Sequence, residues 1–218
     1  MDVIYGEPTG HFAHNPEPLP ENLGVMISKM KEGNYDLGIV VDPDVDRLCF
    51  ISEDGTPFGE EYTLVAIADY ILSLGKGNTV SNLSSTRALR DVTEKHGGAY
   101  FAAAVGEVNV VNQMKVQKAV IGGEGNGGVI FPESHYGRDA LVGIGLFLTY
   151  LAQKGIKTSE LRASFPSYVI SKNKIELSAD LNVDLILSTV AEKYKDQQVN
   201  TIDGVKIDFP DRWIHLRK

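Results

Sequence analysis

The sequence has only one cysteine, Cys49, among its 218 residues. No disulfide can therefore form within the chain, and a lone cysteine among apolar neighbours favours a reducing compartment. The first ten residues also lack the basic and long apolar regions of a signal peptide. These absences predict a cytoplasmic protein.

Long hydrophobic runs and an excess of positive charge are absent as well. The most apolar window covers only residues 140–152, which is too short to span a bilayer and predicts a buried helix. The 29 acidic residues outnumber the 21 lysines and arginines, so the formal net charge is −8. This balance argues against nucleic acid or a membrane as a partner, while a local basic pocket for a small phosphate remains open.

Alternating strand and helix patterns fill the middle of the chain. Short apolar runs predict strands, and apolar residues at helical spacing predict the helices between them. This order predicts an α/β fold of mixed, mostly parallel sheets with helices on both faces. The predicted strands are 37–41, 78–83, 99–106 and 119–133, the last interrupted by a glycine loop, and the predicted helices are 60–74, 84–98, 107–115 and 138–154.

The two ends of the chain differ from this middle part. Prolines 16, 18 and 20 exclude regular helix and central strand from the first 22 residues. Asp54-Gly55, between alternating residues, predicts a hairpin. The sequence of the C-terminal part predicts a truncated α+β module. Its unfinished sheet would have an open edge, through which two copies of the chain could pair as a homodimer. Its predicted elements are strand 168–177, helix 181–195 and a hairpin over 204–217.

Three aspartates, Asp42, Asp44 and Asp46, follow the first apolar run at alternate positions. Their carboxylates can converge if the loop curls, and they would repel one another unless a cation neutralises them. Oxygen ligands of this kind favour Mg²⁺, Mn²⁺ or Ca²⁺ over zinc. The pattern therefore predicts a metal site, with a solvated acidic turn as the simpler alternative.

A calcium EF-hand is excluded by two details of the same stretch. Glu53 stands at the twelfth position from Asp42, but Arg47 occupies the sixth, where the tight turn requires glycine, and the flanking patterns are strands. Arg47 could hold a phosphate through its planar guanidinium or pair with Asp46. We expect the first role.

A second constellation lies in the glycine-rich stretch Gly122–Gly128. Glu124 accepts hydrogen bonds and Asn126 both donates and accepts, so the loop could bind sugar hydroxyls. Gly106 and Glu107 follow another strand, at the sheet edge where ligands bind in parallel α/β folds. By itself the glycine-rich stretch could be a simple connection.

The stretch "SSTR" begins the second predicted helix. Its hydroxyls and Arg87 could form an anion site at the helix N-terminus. The alternative is an ordinary serine N-cap beside a solvated arginine.

Four stretches together resemble one enzyme family, the α-D-phosphohexomutases. "VVDPDVDR" resembles the metal-binding loop of that family, and "GGEGNGG" is similar to its sugar-binding loop. "HNPEPLPENL" resembles the segment before the metal loop, and "DGVKIDFPDRWIHLRK" resembles the run into the last domain. Their order and spacing agree with the family over nearly the whole chain.

The resemblance implies an internal fragment of a four-domain enzyme. It assigns residues 1–58 to the C-terminal half of domain two, 59–166 to domain three and 167–218 to a truncated start of domain four. The family's phosphoserine motif, of Ser-His-Asn-Pro type, is missing, because Ala13 precedes His14-Asn15-Pro16 where the serine would stand. The Ser-Asn-Thr type loop of the last domain is missing too.

The resemblance also implies a mechanism and a set of roles. A phosphoserine donates its phosphoryl group to a hexose phosphate, and a bisphosphorylated hexose is the intermediate and activator. Mg²⁺ would bind the three aspartates, and Arg47 would act as the catalytic phosphate contact. Five residues would bind the hexose phosphate substrate, namely Glu124, Asn126, Gly106, Glu107 and Arg87.

The identity of the sugar rests on smaller details. Val105–Glu107 and the Ser84 that replaces a lysine of many phosphomannomutases favour phosphoglucosamine mutase, whereas Asn126 departs from the serine common in bacterial glucosamine enzymes. Phosphoglucomutase or phosphomannomutase is the alternative. A non-catalytic sugar-phosphate-binding module and a phosphatase with an aspartate nucleophile are minor alternatives.

Overall fold

The computed structural model describes residues 1–178 and 181–218. In these ranges, helices and strands alternate through most of the chain, as the sequence predicts. The helices are α1 Gly24–Glu32, α2 Glu60–Leu74, α3 Ala88–Lys95, α4 Glu107–Gln117, α5 Ala140–Lys154, α6 Thr158–Ala163 and α7 Val183–Lys193. The strands are β1 Leu37–Val41, β2 Leu48–Ser52, β3 Asn78–Asn82, β4 Tyr100–Ala103, β5 Ala119–Glu124, β6 Gly128–Ile130, β7 Gln198–Asn200, β8 Val205–Asp208 and β9 Trp213–Leu216.

An antiparallel pair, β1 and β2, forms the N-terminal unit and carries the aspartate loop between its strands. The predicted hairpin after β2 is confirmed: the Gly55 amide donates to Ser52 O, and Ile51 bridges to Pro57. Helix α1, which the sequence analysis missed, covers this pair by packing Met30 against Cys49 and Ile51. The unit therefore has a small core of its own.

A four-stranded sheet of order β4-β3-β5-β6 forms the centre of the molecule. Strands β4, β3 and β5 are parallel, and β6 returns antiparallel to β5 across the glycine loop. One face packs Ile121 and Val129 against α2, α3 and α5, and the other packs Val80 and Ile130 against α4. The predicted α/β class with helices on both faces is confirmed.

Helix α5 is buried on one side only, which corrects the prediction of a buried helix over 140–152. Phe147 and Tyr150 lie in the core, whereas Leu141 and Leu148 are 68% and 43% exposed. The reason is its position in the outer layer, where its inner face packs against α2, β2 and β6 and its outer face is exposed. Among the described residues, no helix has both the length and the apolar character needed to cross a membrane.

The C-terminal part contains α7 and a three-stranded antiparallel sheet of order β7-β8-β9. The predicted hairpin is confirmed as β8 and β9, and β7 was missed. The strand predicted over 168–177 is wrong, because this segment has no regular structure and Val169 and Ile175 are exposed. Alternating residues form a strand only where a neighbouring strand takes their hydrogen bonds. Dimerisation through the sheet edge stays a prediction.

Candidate active site

The aspartate loop is shaped by its own hydrogen bonds. β1 and β2 fix both ends of the loop, and Asp42 turns its carboxylate inward, where it is 2% exposed. Its Oδ1 accepts hydrogen bonds from the amides of Asp46 at 3.1 Å and Arg47 at 3.0 Å. One buried aspartate thus organises the loop around itself.

The three aspartates converge as the sequence predicts. Asp42, Asp44 and Asp46 each offer one carboxylate oxygen, and these atoms lie within 4.8 Å of one another. Asp44 is exposed, while Asp46 Oδ1 is buried and has no hydrogen-bond partner among the described residues. A buried, unpaired carboxylate oxygen beside two others fits a hard divalent cation, so these residues could hold Mg²⁺.

Two of these carboxyl groups have shifted pKa values in opposite directions. Burial alone would raise the pKa of Asp42, but the Arg47 amide and guanidinium outweigh burial and lower it. Burial raises the pKa of Asp46, and repulsion from Asp42 and Asp44 adds to this effect against the attraction of Arg138. Of these two carboxylates, Asp46 is therefore the one whose negative charge the protein compensates less.

Val45, between two of the candidate ligands, has a left-handed backbone with φ of 58°. This region is an outlier for a β-branched residue. Its amide donates to Asp42 O at 3.1 Å, and its carbonyl accepts from the amide of Ala140 at 3.0 Å, at the start of α5. The strained residue therefore joins the aspartate loop to the central unit.

Arg47 is held by two carboxylates. Its Nε donates to Asp42 Oδ2, and its Nη1 donates to Glu17 Oε1 at 2.9 Å. Asp46 Oδ1 also lies 3.7 Å from Nε, so Arg47 forms the ion pair with Asp46 that the sequence suggested and a closer one with Asp42. The pKa of Arg47 is raised, chiefly by Glu17, so the side chain remains a cation.

The glycine loop lies directly beside β2. The Leu48 amide donates to Gly127 O at 3.1 Å, and Arg47 forms an antiparallel bridge with Gly128. Gly127 has φ of 91°, and a Cβ there would stand 2.3 Å from Leu48 O. Only glycine permits this approach. The two loops predicted separately therefore form one continuous surface.

Glu124 is buried and contacts three groups of the protein. Its Oε1 accepts from Asn82 Nδ2 at 2.8 Å and from the Gly106 amide at 3.1 Å. Its Oε2 accepts from Arg138 Nη1 at 3.0 Å. A carboxylate has about four acceptor positions, so one remains for a ligand hydroxyl. Asn126 Oδ1 accepts from the Gly128 amide at 3.2 Å.

Glu61, at the start of α2, lies under the glycine loop. Its carboxylate would be 2.3 Å from a Cβ at Gly125, and it accepts from the Thr86 amide at 2.8 Å. Burial raises the pKa of Glu61 to about 8. The loop thus rests on a carboxyl group that burial biases toward its neutral form.

Arg138 brings together acidic residues from three segments. Beyond its bond to Glu124, its Nη2 donates to Asp46 Oδ2, and its backbone amide donates to Glu107 Oε1 at 3.0 Å. Gly106 and Glu107 are thereby joined to the same cluster. By formal charge, six carboxylates face two guanidiniums here, which favours a bound cation: Glu17, Asp42, Asp44, Asp46, Glu107 and Glu124 against Arg47 and Arg138.

Arg87 makes different contacts from the other predicted residues. Its guanidinium donates to Asp208 Oδ1 at 3.1 Å and to the carbonyls of Phe209 and Pro210, while its buried Nε has no hydrogen-bond partner within residues 1–178 and 181–218. Helix α3 begins after Arg87 without a side-chain cap, so the predicted serine N-cap is wrong. Arg87 thus joins the central unit to the C-terminal module.

Sequence reasoning missed three residues of the cluster: Glu17, Glu61 and Arg138. Glu17 lies in the proline-rich segment, and Arg138 lies far along the chain from Asp46. The only local signal at Arg138 was its place just before the helix N-cap Asp139. Long-range ion pairs leave no pattern in a single sequence.

This fold and site define a class of α/β proteins in which a loop of three carboxylates and a glycine-rich loop share one surface. Models of two domains of one family match the chain. Residues 59–168 match alpha/beta/alpha domain III of phosphoglucomutase/phosphomannomutase, and residues 4–55 match its alpha/beta/alpha domain II. The chain belongs to the phosphoglucomutase/phosphomannomutase family, as the resemblance implied.

Individual relatives agree with this assignment. The chain is similar to the phosphoglucomutase/phosphomannomutase of Thermococcus kodakarensis, with 34% identity over 98% of the chain and 47% of the relative. It is also similar to a "Probable phosphoglucosamine mutase" of Methanopyrus kandleri, with 32% identity over 98% of the chain and 48% of the relative. The chain therefore spans about half the length of these curated relatives.

A solved structure shows the same fold. A phosphoglucomutase/phosphomannomutase family protein from Burkholderia thailandensis superposes with a TM-score of 0.77 at 27% identity, over 92% of this chain and 43% of that one. The domain boundaries expected at residues 58 and 166 stay predictions.

Proposed function

We propose that this chain forms the metal- and sugar-binding part of a hexose-phosphate mutase, which moves a phosphoryl group between the 1- and 6-positions of the sugar. The observation that carries the proposal is the junction of the two loops: the aspartate loop and the glycine loop meet along β2 through Leu48 and Gly127. A cation and a sugar bound to these loops would be neighbours. Family membership supports the same reading.

The residues of the chain would have two kinds of role: some would compensate the charge of the phosphoryl group, and others would orient the sugar. Asp42, Asp44 and Asp46 would hold Mg²⁺, which supplies compensation for the negative charge of a transferring phosphoryl group. Arg47, fixed by two carboxylates, would present its remaining guanidinium N–H groups to a phosphate. The phosphoserine donor would come from a part of the enzyme outside residues 1–218.

Orientation of the sugar would fall to the glycine loop. Glu124 has one acceptor position left, and the Asn126 side chain, held through its Oδ1, would use its amide as a donor. A donor and an acceptor on one loop can bind hydroxyls of the sugar in either of two poses. Such a loop suits a reaction in which the sugar turns over between two phosphoryl transfers.

We further infer a preference for glucosamine phosphate. Support comes from Glu107 and Ser84, which depart from the phosphomannomutase pattern, and from the similarity to a relative named as a phosphoglucosamine mutase. A competition assay on the complete enzyme checks this inference. A strong preference for glucose or mannose phosphate over glucosamine 6-phosphate would reverse it.

The first test concerns the metal ligands. Asp44 is exposed, so Asp44→Asn should leave the fold intact while it removes one anionic ligand. We expect the chain to bind Mn²⁺ by electron paramagnetic resonance titration and the variant to bind at least about tenfold more weakly, since each lost charge pair is worth more than 1 kcal/mol.

The matched control is Asp211→Asn, another exposed aspartate in the C-terminal module, which should bind Mn²⁺ like the unsubstituted chain. Equal affinity in Asp44→Asn would remove the metal assignment. In the complete enzyme, Asp44→Ala should abolish Mg²⁺-dependent turnover, and retained activity would contradict the proposed mechanism.

A further inference from the structure

Arg138 lies between the aspartate loop and the glycine loop. Its backbone bridges to Ile130, next to the N-cap of α5, and its aliphatic stem crosses Gly128, where a Cβ would lie 2.4 Å from Arg138 Cδ. The side chain is 17% exposed. The absence of a side chain at Gly128 therefore leaves room for an arginine that the sequence analysis did not assign to any role.

The guanidinium hydrogen-bonds two carboxylates from different loops, and a third carboxylate oxygen, Glu107 Oε2, lies 3.5 Å from its Nε. Nη1 contacts Glu124 Oε2 in the glycine loop, and Nη2 contacts Asp46 Oδ2 in the aspartate loop. The other oxygen of Asp46 is buried next to Asp42 and Asp44 and has no hydrogen-bond partner in the part of the chain that the structure describes. A cation on that oxygen would withdraw charge from the Asp46 carboxylate and repel the guanidinium, whereas Glu124 would keep its full attraction.

We propose that Arg138 is a positioning residue that couples the metal site to the sugar-binding loop. Occupation of the three-aspartate site by a divalent cation shifts Arg138 from Asp46 toward Glu124, and this shift sets how Glu124 offers its free acceptor position to a sugar hydroxyl. The inference rests on the proposed function and adds an order of events: metal first, sugar second. It identifies Arg138 as the element through which one site senses the other.

A rival route for the same coupling exists in the backbone. The Leu48 amide contacts Gly127 O, and Arg47 bridges to Gly128, so the loops could move together without Arg138. A useful test must therefore separate the guanidinium from the backbone. Arg138→Gln removes the charge, and Arg138→Lys keeps the charge but offers one ammonium that cannot span both carboxylates.

The experiment uses the whole 218-residue chain and two measurements. Mn²⁺ binding by electron paramagnetic resonance reports occupation of the metal site, and hydrogen exchange of the amides in 122–130, with and without saturating Mg²⁺, reports the glycine loop. We expect Mg²⁺ to change the exchange of these amides at least about threefold in the unsubstituted chain. In Arg138→Gln and Arg138→Lys, Mn²⁺ should still bind and the change should fall to none.

The outcomes separate the two proposals. Mn²⁺ binding without any response of 122–130 in the unsubstituted chain overturns the inference and leaves the metal assignment standing. A full response in both variants also overturns it and assigns the coupling to the backbone contacts. Failure of the unsubstituted chain to bind Mn²⁺ overturns the metal assignment and the inference together. If Arg138→Gln does not fold, Arg138→Lys carries the test alone.

Discussion

A single residue of the aspartate loop, Val45, is in a conformation that its side chain disfavours. A non-glycine residue in this region costs about 1–3 kcal/mol, and Val45 also packs against the core. We expect Val45→Gly to be more stable than Val45→Ala, because both lose the packing and only glycine relieves the strain. This order is the reverse of the usual one, in which alanine is favoured over glycine.

Urea unfolding of the two variants measures the difference directly. A matched pair at Ser188, within helix α7, should show the ordinary order, with alanine more stable than glycine by about 1 kcal/mol. If Val45→Ala proves the more stable of the first pair, the left-handed backbone at Val45 is not a source of strain.

At the scale of elements, a buried carboxylate joins α2 to its two neighbouring helices. Asp69 of α2 accepts from the Tyr150 hydroxyl of α5 and contacts His96 Nε2 at the end of α3 at 2.7 Å. Burial alone would raise the pKa of Asp69, but these partners outweigh burial and lower it. The carboxylate therefore stabilises the fold above its ordinary pKa near 4, and this stability is lost as pH falls through the depressed folded-state pKa.

We expect Asp69→Asn to lose about 2 kcal/mol of unfolding free energy at pH 7, as is typical when a buried charged hydrogen-bond partner is removed. Urea unfolding from pH 7 to pH 3 should show the deficit shrinking at the acid end. Asp196→Asn, in an exposed turn, is the control and should stay close to the unsubstituted chain. A deficit that is constant over the whole pH range would exclude the charge of Asp69 as its cause.

The elements that sequence could predict were those with complete local signals. Helix α2 has apolar residues at helical spacing, and it begins and ends at the predicted residues. The hairpin after β2 could be predicted from the turn residues Asp54-Gly55 alone. Helix α1 was missed because it begins at Gly24 with no side-chain cap. The false strand over 168–177 had the right alternation but no partner strand, which is a fact about tertiary structure.

The candidate site divides in the same way. The three aspartates are close in sequence, so their convergence could be predicted from spacing, and the glycine loop could be predicted from composition. Arg138 and Glu17 reach Asp46 and Arg47 from distant segments. The sequence around Arg138 or Glu17 gives no indication of the partner of either residue. Only the folded chain shows that the two predicted loops lie side by side.

For the whole molecule, Arg87 is the main polar link between the central unit and the C-terminal module. It binds three acceptors around the turn after β8, while Ser84 and His215 add a contact of 2.9 Å. Arg87→Lys keeps the charge but loses the fork, so we expect faster hydrogen exchange in β8 and β9, by about fivefold or more, with α2 and α5 unchanged.

Arg90→Lys is the matched control, because Arg90 approaches the same Asp208 only to 3.9 Å and lies in the first turn of α3, three residues after Arg87. It should leave the exchange of β8 and β9 nearly unchanged. Equal effects of the two substitutions would mean that general charge, and not the Arg87 fork, holds the module in place.

The carbonyl of Val45, a residue with a strained backbone, has a consequence for protein engineering. It accepts from the first amide of α5, and the Leu48 amide donates to Gly127 O, so the two regions that match separate family domains are joined by backbone hydrogen bonds beside the aspartate and glycine loops. A chimaera of two relatives joined near residue 57, where the sequence predicts a domain boundary, would place loops from different proteins on the two sides of each of these contacts. We therefore expect recombination between relatives to succeed more readily at the segment after residue 166, which leaves both hydrogen bonds intact.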